Sequence, residues 1–149
     1  MQAATNLAVD RARLVNAPSA TRLPVRWRDL DPLGHVNAVV FLTYLEEGRN
    51  AWLAAILGQG FGPEQYVVAR VELDFRAEIP AGTAYVQSQH AVTAVGRSSI
   101  TFDERLSIAD DVTVAKGRVV LVMWDRDHHR SRPLSREEND ALTATGAAL

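Results

Sequence analysis

From Ala38 to Leu57 the chain runs without a proline and with one glycine, and little of that run is polar. At about 100° per residue, Thr43, Glu46, Glu47 and Asn50 fall in a single stripe. Val39, Val40, Phe41, Leu42, Tyr44, Leu45, Trp52, Leu53, Ile56 and Leu57 cover most of the remainder. The spacing predicts a helix of about five turns. A helix with so narrow a solvated face must be wrapped, and within one domain a sheet curved around it does this.

The helix is entered through a crowded connection, V-R-W-R-D-L-D-P-L-G-H-V-N. Pro32 sets its own backbone angle and denies Asp31 a helical conformation, while Gly34 is free to take a positive φ, so the chain bends sharply here. Asn37 stands where an N-cap belongs. The start of the helix therefore points toward the carboxylate of Asp31.

Beyond the helix, G-Q-G-F-G-P is a loop of breakers. Ala69, Val71, Leu73, Phe75, Ala77 and Ile79 then alternate with Arg70, Glu72, Asp74, Arg76 and Glu78, the period of a half-buried strand. Further strands are expected from Thr83 to Val95, with Ala84, Val86, Val92 and Ala94 on one parity, and from Ser99 to Ile108, where Ile100, Phe102, Leu106 and Ile108 share a face. A fourth runs from Val112 to Trp124, its V-V-L-V-M-W half apolar on both parities and so expected to be covered on both faces. With a short strand at Arg22 to Arg28, and tight turns making consecutive strands antiparallel, the expectation is an α+β domain: a curved antiparallel sheet around one central helix.

At 149 residues the chain fits one domain with a real core. The expected division is a loose N-terminal arm over residues 1–20, the domain over 21–126, and a polar tail over 127–149 with a short helical turn after Ser135. A net charge of -2 argues against a general nucleic-acid binder. No apolar run approaches the length of a membrane span. Without cysteine there is neither a disulfide framework nor a zinc-thiolate site, which permits a reducing setting, and a cytoplasmic location is expected. His128 and His129 are adjacent, a poor spacing for two ligands on one face, so no metal site is expected.

Asp31 is the strongest candidate for chemistry. Held partly desolvated beside a helix start, it can attack a carbonyl or activate water while free helix amides hold the developing oxyanion. Its other reading is local, because D-P-x-G is a common turn and Asp31 can simply cap neighbouring amides. His35 and Asn37 are read as positioning groups. Asp29 either joins Asp31 or orients the turn. Glu46 and Arg49 are spaced to pair along the helix, with Glu46 also a candidate second carboxylate.

The run V-R-W-R-D-L-D-P-L-G-H-V-N followed by F-L-T-Y-L-E-E-G-R resembles the hotdog-fold acyl-coenzyme A thioesterases of the hydroxybenzoyl-coenzyme A thioesterase type. The likeness continues through V-E-L-D-F-R-A-E-I-P-A-G and V-G-R-S-S, from about Pro24 to Trp124. The resemblance implies the hotdog fold and thioester hydrolysis, with Asp31 as catalytic carboxylate and the backbone N–H of Ala38 against the thioester carbonyl. It implies that Arg97, Ser98 and Ser99 meet the coenzyme A phosphates; a turn arginine suits phosphate pairing, although its other reading is a solvated side chain. It also implies a homodimer with sites at the subunit interface, often paired into a tetramer, and no cofactor beyond the coenzyme A of the substrate. The chain departs from the family at Ala38, where a second asparagine is frequent, and at Phe41, where a tyrosine is. Two rivals remain: a hotdog enoyl-coenzyme A hydratase, whose D-x-N-P-L-H signature is here altered by Asp31 and by Gly34 inserted before His35, and a non-catalytic acyl-binding protein.

Overall fold

The long helix forms where the apolar run predicts it. In the computed structural model, which describes residues 20–146, α1 spans Ala38–Leu57. The Asn37 side-chain oxygen accepts from the Val39 amide at 3.0 Å, and the helix ends at Gly58, whose φ of 99° suits a residue without Cβ. The N-terminal arm expected over residues 1–20 lies, Ala20 excepted, outside the described residues.

Five strands curve around α1: β1 (Thr21–Pro24), β2 (Tyr66–Phe75), β3 (Tyr85–Val95), β4 (Ser99–Ile108) and β5 (Val112–Asp125). They pair antiparallel in the order β1-β3-β4-β5-β2, and β6 (Arg130–Ser131) folds back on β5. The α+β architecture is as expected. The first strand is shorter than its alternation implied. Pro24 brings no N–H to the ladder, and the Arg26 amide turns instead to Asp29 Oδ2 at 2.9 Å, curling Trp27–Asp29 into a 3-10 turn.

Several burial expectations need correction. α1 is sheathed on one side only: it packs on β1, β3 and β4, while Val39 and Leu42 stay 71% and 42% exposed. β2 begins three residues earlier than the alternation implied and is not half-buried. As an edge strand that α1 meets chiefly at its two ends, through Tyr66 to Asn50 and Phe75 to Phe41, it leaves Val71 and Phe75 45% and 55% exposed on the face that carries its apolar residues. Beyond Phe75 the chain leaves the ladder, with the Arg76 and Ala77 amides sharing the Val114 carbonyl, and Ile79 turns into the core. In β3 the parity inverts at a bulge between Val92 and Ala94, so Val95 rather than Ala94 packs inward. On β5, Val119, Leu121 and Met123 are wholly buried, whereas Val120, Val122 and Trp124 are only half covered.

The segment from Asp127 to Gly146, read above as a polar tail, folds onto the domain. Ser135 and Glu138 form a reciprocal capping box for α2 (Arg136–Ala144), and Leu142 is wholly buried beside Trp52 and Ile56. What reads as polar is the outer side of a short amphipathic helix, anchored by Arg132 to Glu138 at 2.8 Å. Burial raises the Glu138 carboxyl pKa, but the Arg132 hydrogen bonds and the Ser135 amide outweigh it, and the net direction is down.

Candidate active site

The turn bearing Asp31 is a miniature hairpin leading into α1. Leu30 bridges Val36, the Asp31 amide donates to His35 O at 2.9 Å, and the Asn37 amide donates to Asp29 O at 2.9 Å. The tip closes through the Gly34 amide on Asp31 O at 3.1 Å, with Gly34 at a φ of 84°. The hairpin is tied to the strand connection by the Val36 amide on Ile79 O at 2.9 Å and the Ala81 amide on Gly34 O at 3.0 Å.

Asp29 and Asp31 do different things. Asp29 is buried, and its Oδ2 accepts from the Tyr44 hydroxyl at 2.6 Å and the Arg26 amide at 2.9 Å. It fastens the turn to the second turn of α1. Burial first, and then the hydrogen bond to Asp29, push the Tyr44 phenol well above its usual pKa. Asp31 is 18% exposed at its side chain. Its Oδ1 caps the Leu33 amide at 2.9 Å, and Oδ2 takes no hydrogen bond among the described residues. Half of the carboxylate thus plays the local turn role and half is open. His35 stands beside it, Nδ1 at 3.9 Å from Asp31 Oδ1 and Nε2 at 3.4 Å from Glu78 Oε2.

At the helix start, the Val39 amide is taken by Asn37 Oδ1 and the Val40 amide by Asn37 O at 2.9 Å. The exposed Ala38 amide is left without a partner among the described residues. This end of the molecule therefore presents one open carboxylate oxygen and one open amide on a single short hairpin and its helix. A carboxylate can attack or deprotonate, and an amide at a helix start can hold an oxyanion.

Arg97, Ser98 and Ser99 are not brought to Asp31 within one chain. They form the β3–β4 turn, with the Met123 amide on Ser98 O at 2.8 Å and the Leu134 amide on Arg97 O at 2.9 Å. Their neighbours Val95 and Ile100 pack with Trp52, Leu53 and Ile56, whereas Val36 and Leu30 beside Asp31 pack with Phe41 and Leu45. The two places sit at opposite ends of a helix about 30 Å long. Arg97 is exposed, and Ser98 and Ser99 are half-buried.

Glu46 is exposed and does not pair with Arg49. Arg49 is buried and donates instead to Glu104 on β4 at 2.5 Å. Glu104, with Ser88 and His90 on β3, forms a buried polar group that the reading of the sequence passed over. Its signal was present: each interrupts an otherwise apolar inward parity of its strand. The adjacent His128 and His129 lie in the exposed β5–β6 hairpin, where His128 Nδ1 meets Asp125 Oδ2 at 2.8 Å. Among the described residues no three His, Asp or Glu side chains gather as metal ligands.

A concavity of about 660 Å³ lies elsewhere. Asp103 and Arg105, which alternate with the inward Phe102, Glu104 and Leu106, place it on the outer sheet face with Glu72, Asp74, Lys116 and Arg118. Ion pairs such as Arg118 Nε to Asp103 at 2.7 Å cover its floor. It has no apolar wall for an acyl group.

A curved antiparallel sheet around a long helix is the hotdog fold, and the matches that follow make the chain a thioester hydrolase of that fold. The thioesterase-like superfamily profile matches residues 25–142, and the chain belongs to that family. Comparison with curated proteins gives no match. Among solved structures, a Thermus thermophilus thioesterase complexed with coenzyme A and zinc is 34% identical, with a TM-score of 0.74 over 90% of this chain and 99% of its own. A thioesterase-superfamily protein from Jannaschia shares the fold at 21% identity and a TM-score of 0.77, covering 89% of this chain and 96% of its own. So does a 1,4-dihydroxy-2-naphthoyl-CoA thioesterase from Synechocystis, at 18% identity and a TM-score of 0.71 over 83% and 94%. Among the described residues, no helix is long and apolar enough to cross a membrane.

Proposed function

We propose that this thioesterase hydrolyses an acyl-coenzyme A thioester to the free acid and coenzyme A, with Asp31 as the reacting carboxylate and the Ala38 amide as the oxyanion donor. The observation that carries this reading is the pairing of an open Asp31 Oδ2 with an open Ala38 N–H on either side of one hairpin. The coenzyme A bound by the 34% identical Thermus protein supports coenzyme A as the thiol. In one route Asp31 attacks the thioester carbon, the C–S bond breaks, the thiolate takes a proton, and water cleaves the resulting anhydride. In the other, Asp31 takes a proton from the water that attacks. Neither route passes a step through a cofactor; His35 and Asn37 position the turn and the cap.

The working unit is a homodimer. Among the described residues β2 presents an outer edge with no partner strand, ten residues long and beside half-exposed Val71 and Phe75, which is a template for a second copy. A two-fold partner lying antiparallel brings opposite ends of the two molecules side by side. Only from such a partner can Arg97, Ser98 and Ser99 reach phosphates of a substrate held at Asp31.

The test is thiol release from a panel of acyl-coenzyme A substrates by the wild type and Asp31→Ala. The expected loss is at least about a hundredfold. Asp31→Ala activity within threefold of wild type overturns the assignment, and hydration of an enoyl thioester without thiol release favours the hydratase. In a single turnover in oxygen-18 water, label in Asp31 establishes the nucleophilic route with the anhydride opened at the Asp31 carbon, whereas label in the acid fits either direct attack by water or opening at the acyl carbon.

A further inference from the structure

The core under α1 is two apolar clusters, one around Phe41, Tyr44 and Leu45 and one around Trp52, Leu53 and Ile56. Between them lies a polar layer. His90 Nε2 is 2.8 Å from Ser88 Oγ, His90 Nδ1 is 3.1 Å from Glu104 Oε1, and Arg49 donates to the same Glu104 oxygen at 2.5 Å. A carboxylate can only accept, so His90 Nδ1 donates to Glu104, and His90 Nε2 shares a hydrogen bond with the Ser88 hydroxyl. The order serine, histidine, carboxylate is that of a hydrolase triad, yet Ser88 is 1% exposed and lies under α1, where no substrate reaches it.

What lies over Ser88 is Gly48. A Cβ built there would stand 2.3 Å from Ser88 Oγ and 2.8 Å from His90 Nε2. The missing side chain lets α1 settle onto β3, and the next residue, Arg49, bonds across to β4. Apolar contacts allow a helix to slide or roll by small amounts; a close backbone approach joined to a directional, buried ion pair does not.

We propose that Gly48, Arg49, Ser88, His90 and Glu104 form a registry lock that sets the height and rotation of α1 on the sheet, and that this places the Ala38 amide relative to Asp31. The inference rests on the functional reading above for its catalytic consequence. The two reacting groups do not share all their supports. Ala38 rides on α1, whereas the Asp31 hairpin, though fastened to α1 through Asp29 and Tyr44, is also tied to the sheet connection by the Val36 amide on Ile79 O and the Ala81 amide on Gly34 O, so it does not follow α1 freely. Gly48 is about 15 Å along the helix from Ala38, and a rigid helix carries a shift at one point to the other. The members of the lock are positioning residues and touch no substrate.

The experiment is Gly48→Ala, with Gly48→Ala/Ser88→Gly to reopen the space, assayed well below each variant's melting temperature. Misplacement of a reacting group by about 1 Å costs roughly a hundredfold, so kcat is expected to fall at least about tenfold in Gly48→Ala, with KM within twofold, and to recover in the double variant. A protein that is merely less stable keeps its kcat at that temperature. A folded Gly48→Ala with kcat within twofold of wild type overturns the proposal. If Gly48→Ala does not fold, Glu104→Gln is read by the same criterion. Crystal structures of wild type and variant supply a readout independent of activity: an inactive wild type with a shifted α1 in the variant refutes the functional reading and keeps the lock, while an unshifted α1 refutes the lock.

Discussion

Tyr44→Phe removes one hydroxyl from the interior and leaves the ring. The hydroxyl donates at 2.6 Å to Asp29, which is 4% exposed, and Tyr44 itself is wholly buried. A hydrogen bond to a charged group contributes about 1.5–3 kcal/mol, and its loss strands a buried acceptor. Because the Arg26 amide still reaches the same oxygen at 2.9 Å, a cost near the middle of that range, about 2 kcal/mol, is expected. For a domain of this size that lowers the melting temperature by roughly 4–8 °C. The assay is paired thermal and urea unfolding at one protein concentration, so that any subunit equilibrium enters both measurements alike. The raised phenol pKa adds a second signature. The folded state holds this proton longer than the unfolded chain, so the contribution is full below about pH 10 and is lost as pH rises above it. Tyr44→Phe removes that part of the alkaline decline. A loss below about 0.5 kcal/mol, within the range of an ordinary surface change, with an unaltered alkaline limb would refute the idea that Asp29 depends on Tyr44.

Leu142→Ala empties a wholly buried site in the core and is expected to cost about 2–5 kcal/mol in urea unfolding; a neutral result would detach α2 from the cooperative domain. The Glu138 carboxyl is held below its usual pKa, so its stabilisation is present above about pH 4.5 and is lost as pH falls through the lowered value. Amide exchange over residues 135–144 should quicken along that acid limb, and Glu138→Gln should be quick already at neutral pH. Val71→Arg places a charge on the apolar face of the β2 edge; sedimentation should show monomers, with thiol release falling in parallel. A dimer that survives Val71→Arg puts the interface elsewhere.

Much of this was legible in the chain. The bounds of α1, Asn37 as its cap, and β4 from end to end follow from signals a few residues wide, and the Asp31 turn follows from Pro32 and Gly34. The Ala38 amide stands open because the cap consumes its neighbours; in the sequence that amide was singled out only by the family resemblance. The buried layer was harder to see. Glu104 falls between Phe102 and Leu106 on an inward parity, and Arg49 sits four residues from Leu45 and Leu53, yet a periodicity scores such residues only as interruptions. Their partner lies 55 positions away in the chain.

Sequence by itself determined the bounds of α1 and β4, the presence of the other long strands, and which residues crowd the helix entry, because backbone preference and side-chain period act over neighbouring residues. Tertiary structure alone decided that β2 is an edge strand, that Arg97 lies at the far end of α1 from Asp31, and that Arg49 answers Glu104 rather than Glu46. Each of those depends on which strands pair and how the sheet closes on the helix. That is a competition among distant surfaces, settled by burial and by the pairing of buried polar groups, and no local period records its outcome.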